Sequence, residues 1–463
     1  MLCFSFVKLA AQVEAGLHSS SGQGICAMVA RTPALQPTAP SPLALTAERT
    51  DNTRHRLITA AAQLVAERGI AAASARAIAA SAGASASAIN YNFGNIEHLL
   101  QAVFERGVED TRAWQADRIR EISALPRSAD GAAAALLHVL GSWSRDPGRS
   151  LALIYQEAVN ASPGQGVATA WTRLWRDFWI GVAETLGLEP MDGRILHAFF
   201  EHEALYNLSS WSPALEAAAL SEMVEHLAGV WLQAPVRASH GAMVLAERTA
   251  GTRPYGSVPP AAMRIAKAAA EVVETKGLTG LTHRAVATRA GVTTGSVTHH
   301  FRSIEDLVAG AIRGQVQAMT DEAAAQPGGP QPIDQDLTAA ELFAALSQHV
   351  TAELSSPAVN RRRRLFLAAV RRPELALAGA VIRFSYGGTL RDSLGRVFGL
   401  TGETLVLEAT VLARLLAAIW LAGTGDDDPA QARLTLFRQI EARFLARPFA
   451  TASSQSPSPG ASA

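Results

Sequence analysis

The chain has 463 residues, 48% hydrophobic and 18% charged, with 41 Lys+Arg against 41 Asp+Glu. A formal net charge of zero excludes attraction of nucleic acid, membrane or acidic substrate by global charge, so any such partner must be met by a local patch. At roughly 100 to 200 residues per domain, the length predicts more than one core.

Residues 1–49, with PALQPTAPSP at 33–42, read as a disordered leader. MLCFSFVKLAAQ is a short apolar run ending at Lys8, poor form for a secretory signal, and a cytoplasmic protein is the simpler expectation. Cys3 and Cys26, the only cysteines, both lie in the leader, so the folded body holds no disulfide or cysteine metal site of its own. Met28 offers an alternative start, and a chain begun there has no cysteine.

From 50 to 106 the pattern is helical. Leu57, Ala61, Leu64 and Val65 recur at helical spacing and Gly69 stops the run. Ser74 stands where an N-cap belongs before SARAIAASA, and Gly83 ends that helix. Ser85 then caps SASAINYNF, Phe93 packs beneath, and Asn95 caps a further helix with Glu97 in its first turn. Two helices joined by so short a glycine-bearing turn are a helix-turn-helix layout.

Residues 107–234 read as a helical body crowded with aromatics: seven of the eight tryptophans lie in this half. Most are expected in the core. HAFFEHE puts His197 and Glu201 on one face, but His197 and His202 are five apart and share none well, so no metal is expected. A linker is predicted over 235–260, punctuated by Gly and Pro.

The motif returns at 261–313 without a gap. An offset of 208 pairs Gly69 with Gly277, Gly83 with Gly291, Phe93 with Phe301, Arg56 with Arg264 and Arg76 with Arg284. Ile265, Ala269, Val272 and Val273 form the first apolar stripe, and Thr282, Thr293 and Ser303 stand at the caps. Matching glycines, aromatics and arginines argue duplication where alanines alone would not.

A second helical body covers 314–448 and a disordered tail 449–463. RRRR at 361–364, with Arg371 and Arg372, reads as a solvated basic helix face in preference to a nucleic-acid patch, and GTGDDDP at 423–429 as an interhelical turn. TLVLEATVLARLLAAIWLAG at 404–423 carries Glu408 and Arg414, so it is a buried core helix and not a membrane span.

THRAVATRAGVTTGSVTHHFRSIEDLV and SARAIAASAGASASAINYNFGNIEHLL each resemble the DNA-binding head of the TetR family. The resemblance covers about 50 residues per copy; the rest agrees in length and helical character only. It implies an all-α fold of two tandem TetR-like units, each a three-helix head on a helical ligand and dimerisation body. By position it implies that Ser74, Arg76, Ser85, Ala86, Ser87, Tyr91 and Asn92 in head one face base edges or phosphates of operator DNA. Thr282, Arg284, Thr293, Thr294, Gly295, His299 and His300 do so in head two. His299 replaces the tyrosine that the family usually points at a phosphate. The adjacent histidines are therefore DNA-facing donors and no active site, because the twin has Tyr91 and Asn92 there.

Two departures stand out. Ile96 and Ile304 replace the family's lysine, removing one phosphate contact per head, and head one lacks the usual recognition-helix glycine. The family's small, often apolar effectors imply a ligand site in body one, with Tyr155, Trp171, Trp175, Trp179, Phe199 and Phe200 as candidates. The last helices of each unit are where such chains pair, either unit with unit or chain with chain. No GxSxG, HExxH, P-loop or dinucleotide fingerprint occurs, so an enzyme is not expected, nor a cofactor. Two readings remain: a ligand-responsive repressor reading an asymmetric pair of half-sites as an intramolecular pseudo-dimer, or a helical ligand-binding or interaction protein with weakened DNA binding.

Overall fold

The computed structural model describes residues 42–161, 166–231, 241–250, 259–276, 280–325, 337–351, 363–364, 366–367, 369–384 and 387–447. The expected leader, apart from residues 42–49, and the expected tail lie outside these. Every regular element among the described residues is helical.

Head one is α1 (Pro42–Arg68), α2 (Ala75–Ser81) and α3 (Ala86–Phe93), and body one is α4 (Ile96–Ile122), α5 (Ala129–Trp143), α6 (Gly148–Ala161), α7 (Gly166–Thr185), α8 (Pro190–Tyr206) and α9 (Pro213–Trp231). Then α10 (Ala242–Ala250) leads to head two, α11 (Pro260–Lys276), α12 (His283–Ala290) and α13 (Thr294–His300). Body two holds α14 (Ile304–Ala325), α15 (Ala339–Thr351), α16 (Ala376–Phe384), α17 (Gly388–Phe398), α18 (Gly402–Ala422) and α19 (Pro429–Leu445). No helix among the described residues is long and apolar enough to cross a membrane.

The heads follow their apolar stripes. Leu57, Ala61, Leu64 and Val65 are buried, as are Ile265, Ala269 and Val272, because a stripe at helical spacing has one face to hide. In body one the aromatics pack on one another: the Trp175 ring centroid lies 4.9 Å from Trp143 and 4.2 Å from Phe200. Trp171 donates its indole N–H to Thr111 Oγ1 at 3.1 Å.

The bodies meet through α8 and α9 of the first repeat against α18 and α19 of the second. At the centre Glu203, fully buried, accepts from Arg414 at 2.5 Å and from Arg383 at 3.0 Å, both arginines themselves buried. Burial alone would push this carboxyl up, but Arg414 and Arg383 more than offset it and hold Glu203 well below the usual carboxylate range. Toward the ends, Arg443 pairs with Asp192 at 2.5 Å, and Asp426 pairs with Arg194 at 2.6 Å and Arg176 at 3.2 Å.

Two expectations are corrected and a third is extended. The predicted linker contains α10, whose Met243, Ala246 and Ala250 are buried and whose Glu247 pairs with Arg391; nine residues with one apolar face suffice for a helix once α9 and α16 offer a surface. Two of the arginines after 361 are no solvated face. Arg363 is buried and donates to Gln156 at 2.5 Å, and Arg371 pairs with Glu157 at 2.7 Å while donating to the carbonyls of Val65 and Ala66. Charge count alone could not reveal that acids and carbonyls of the other repeat await them; Arg361 and Arg362 lie outside the described residues. GTGDDDP is the expected turn, but it also binds: Asp428 caps α19 and Asp426 holds two arginines of repeat one.

Two outcomes follow from this packing. Trp175→Ala should lower unfolding stability by about 3–5 kcal/mol, read by urea denaturation. Glu203→Gln leaves two buried cations short of their partner and should cost about 3–5 kcal/mol at neutral pH. Because the folded carboxyl is depressed, its contribution is present above the ordinary glutamate value of about 4.3 and lost as pH falls below it. The gap between wild type and Glu203→Gln should therefore close on acidification; a gap constant from neutral pH down to about pH 3 would contradict the assignment.

Candidate nucleic-acid interface

Each head presents a short helix whose buried side is one or two apolar residues and whose other side faces solvent. In α3, Ile89 and Phe93 go inward; in α13, Val297 does, with Phe301 buried just beyond it. The outward positions are Ser85, Ala86, Ser87 and Tyr91 in head one and Thr293, Thr294, Gly295 and His299 in head two, all of them exposed. Tyr91 is 77% exposed, far beyond what a packed tyrosine would show. Asn92 and His300 are half-buried at matching positions. A helix with small residues at its N-terminal half and polar ones at its last turn has the shape that enters a major groove.

The turns set the angle of these helices. Gly83 and Gly291 adopt φ of +59° and +65°, a left-handed conformation that costs other residues about 1–2 kcal/mol. Ser74 and Thr282 cap the preceding helices, accepting from Ala77 N at 3.3 Å and Ala285 N at 3.1 Å. Thr293 likewise accepts from Ser296 N at 3.2 Å, whereas Ser85 at the matching position makes no cap bond and pairs with Ser87 Oγ at 2.8 Å. The two recognition helices thus share a fold and differ in the polar surface they show.

A family model described as bacterial regulatory proteins, tetR family, matches residues 57–103 and again residues 265–311. The chain carries two tandem TetR-like units. The two matches stand at the same offset of 208 that pairs the glycines. The family is one of DNA-binding transcriptional regulators. No curated protein matches the chain.

Within the TetR-like heads, Arg76 and Arg284 are exposed on the first turns of α2 and α12, without a side-chain ion pair or hydrogen bond among the described residues. Three other cations of head one, Arg54, Arg56 and Arg106, are committed elsewhere. Arg54 donates to the Asn92 carbonyl at 3.1 Å and lies over the Phe93 ring, 4.6 Å from its centroid. Arg56 donates to the carbonyls of Ala82 and Gly83, and Arg106 pairs with Asp110 at 2.8 Å. Charge counting does not reveal these structural roles, because each depends on which carbonyl or acid a fold brings near. His283 is a similar case, its Nε2 2.8 Å from the Phe301 carbonyl.

The histidine pair has the geometry of neighbours on one helix, ring centroids 5.0 Å apart and 72° between planes. Among the described residues no group of three His, Cys, Asp or Glu side chains is placed to hold a metal. In body one, His197 Nε2 lies 3.1 Å from Glu201 Oε1, and the Tyr155 hydroxyl donates to the Glu201 carboxylate, 2.7 Å from each oxygen. Burial first, then the Glu201 charge, raises the Tyr155 hydroxyl well above its ordinary value, so it stays protonated as a donor. The six candidate ligand residues of body one are all fully buried and packed into this aromatic region.

Gly291→Ala should lower stability by about 1 kcal/mol through backbone conformation alone, since nothing lies within 4 Å of the added methyl. Gly83→Ala should cost more, because there the methyl meets Arg56 Nη2 at 3.2 Å. Equal losses for the two variants in urea titration would argue against the Arg56 contact.

Proposed function

We propose that the chain is a ligand-responsive repressor that reads an asymmetric pair of half-sites as an intramolecular pseudo-dimer. The observation that carries this reading is the polarity of the contact between repeats. Arg371, Arg383, Arg414 and Arg443 of repeat two meet Glu157, Glu203 and Asp192 of repeat one. A pairing of repeat one with another repeat one supplies none of these arginines and leaves Glu203 buried without them, which is strongly destabilising. Unlike pairing is thereby favoured, and two unlike recognition helices call for two unlike half-sites.

DNA is the partner that the exposed faces suit. Arg76 and Arg284 are the side chains we assign to phosphate or guanine, with Ser74, Ser85, Ser87, Tyr91, Asn92, Thr282, Thr293, Thr294, His299 and His300 as further donors or acceptors. Ala86 and Gly295 allow close approach. The effector site we place among Tyr155, Trp171, Trp175, Trp179, Phe199 and Phe200. The indole N–H groups of Trp143, Trp175 and Trp179 have no hydrogen-bond partner among the described residues, so an effector that parts these packed rings gains by offering them acceptors. Release from DNA needs only that the effector bind one spacing of the heads better than the other.

One observation favours the alternative, an α-helical interaction or ligand-binding protein: Ile304, where the family has a phosphate-binding lysine, is 38% exposed. Gel shifts separate the two. DNA upstream of the chain's own gene should be retained, with affinity falling about tenfold or more in Arg284→Ala. Head two has seven Lys/Arg over 262–313 against five over 54–106 in head one, so it should show the steeper salt dependence in a titration of the separate heads. A strictly palindromic footprint, together with four heads per particle in scattering, would overturn the pseudo-dimer.

A further inference from the structure

A cleft of about 610 Å³ opens where head one, body one and repeat two come together. Its walls are the end of α1 and the turn after it, the C-terminal turn of α6, and Leu367 of repeat two with the arginines on either side of it. Four arginines line it, Arg68, Arg364, Arg371 and Arg372, against Glu67 and Glu157. Arg371 is spent on Glu157 and on the Val65 and Ala66 carbonyls, and Arg364 donates to the Asn160 carbonyl at 3.2 Å. Arg68 and Arg372 have no ion pair or side-chain hydrogen bond among the described residues.

Asn160 adds an independent sign of a ligand. It is 4% exposed, lines the cleft, and neither its Nδ2 nor its Oδ1 has a hydrogen-bond partner among the described residues. A buried amide left unmade costs about 1–3 kcal/mol. One water would occupy about 30 Å³, a small part of the space. The cleft therefore has room for a small organic molecule, which must satisfy one donor and one acceptor and carry negative charge toward two unspent guanidinium forks.

We propose that this cleft binds a small phosphate-bearing organic anion. Guanidinium forks take phosphate oxygens in pairs, and the Asn160 amide reads a hydroxyl or amide on the organic part. The position makes the site regulatory in kind. Gly69 has φ of +82°, and a Cβ there would lie 3.0 Å from Glu157 Oε1 and 3.4 Å from Arg371 Nη1, so the turn of head one rests on the ion pair that lines the cleft. A molecule held by Arg68 and Arg372 ties that turn to repeat two. The inference is separate from the aromatic effector site and does not rest on DNA binding.

Calorimetry on the full chain with inorganic pyrophosphate as probe, and citrate as its carboxylate counterpart, tests it. Saturable binding of one pyrophosphate per chain is expected, weakened about tenfold or more in Arg68→Ser/Arg372→Ser. Neither side chain makes an ion pair or side-chain hydrogen bond among the described residues, and circular dichroism melting of the variant should show the fold retained. Hydrogen exchange of the amides at 69–73 should slow on saturation. Absence of saturable binding, citrate binding as tight as pyrophosphate, unchanged affinity in the double variant, or unaltered exchange at 69–73 would each overturn the proposal. Loss of binding in Arg76→Ser/Arg284→Ser with the cleft variant unaffected would place the anion on the heads and also overturn it.

Discussion

A carboxylate taken fully out of water keeps its charge only if cations come with it, and Glu203 finds two of its cations in the other repeat. That dependence ties α8 to α16 and α18 more tightly than apolar contact alone would, because apolar surfaces tolerate sliding and a buried ion pair does not. The remaining inter-repeat pairs sit around it. Arg443 with Asp192 and Asp426 with Arg194 tie α8 to α19 and the turn before it, and Arg371 with Glu157 extends the contact to the base of head one. The positions of both bodies, and of the turn at Gly69, follow from satisfying these charges.

Apart from the Arg371 contact at the base of head one, the heads obey a local logic. Each is three helices closed over a few apolar residues, with a left-handed glycine in the turn and a capping hydroxyl at the start of α2 and α12. Such a unit keeps its shape while its outward residues change, which is how Tyr91 and Asn92 in one copy can stand opposite His299 and His300 in the other. Duplication within one chain permits this divergence. Two identical subunits cannot differ in their recognition helices; two repeats can.

The heads are largely legible in residue spacing. Stripes at Leu57 and Ile265, glycines at 83 and 291 and caps at Ser74 and Thr282 all act within one or two turns, so the order of residues reports them directly. Legibility fails where a partner comes from far along the chain. The arginines at 363 and 371 look like a solvated run until Gln156 and Glu157 are beside them, and 242–250 looks like linker until α9 and α16 give its apolar face a place. Ser85 shows that even local reading has limits: it occupies the cap position but bonds to Ser87.

By itself the sequence determined the helical class, the duplication, the two heads and the residues on their outer faces, because period, glycine conformation and capping are short-range effects. Only the tertiary structure decided which charges are buried, which arginines remain unspent and where a cleft opens between head and bodies. Those outcomes depend on groups 211 residues apart being brought within hydrogen-bond reach, as Arg414 is to Glu203, and no spacing rule encodes that distance.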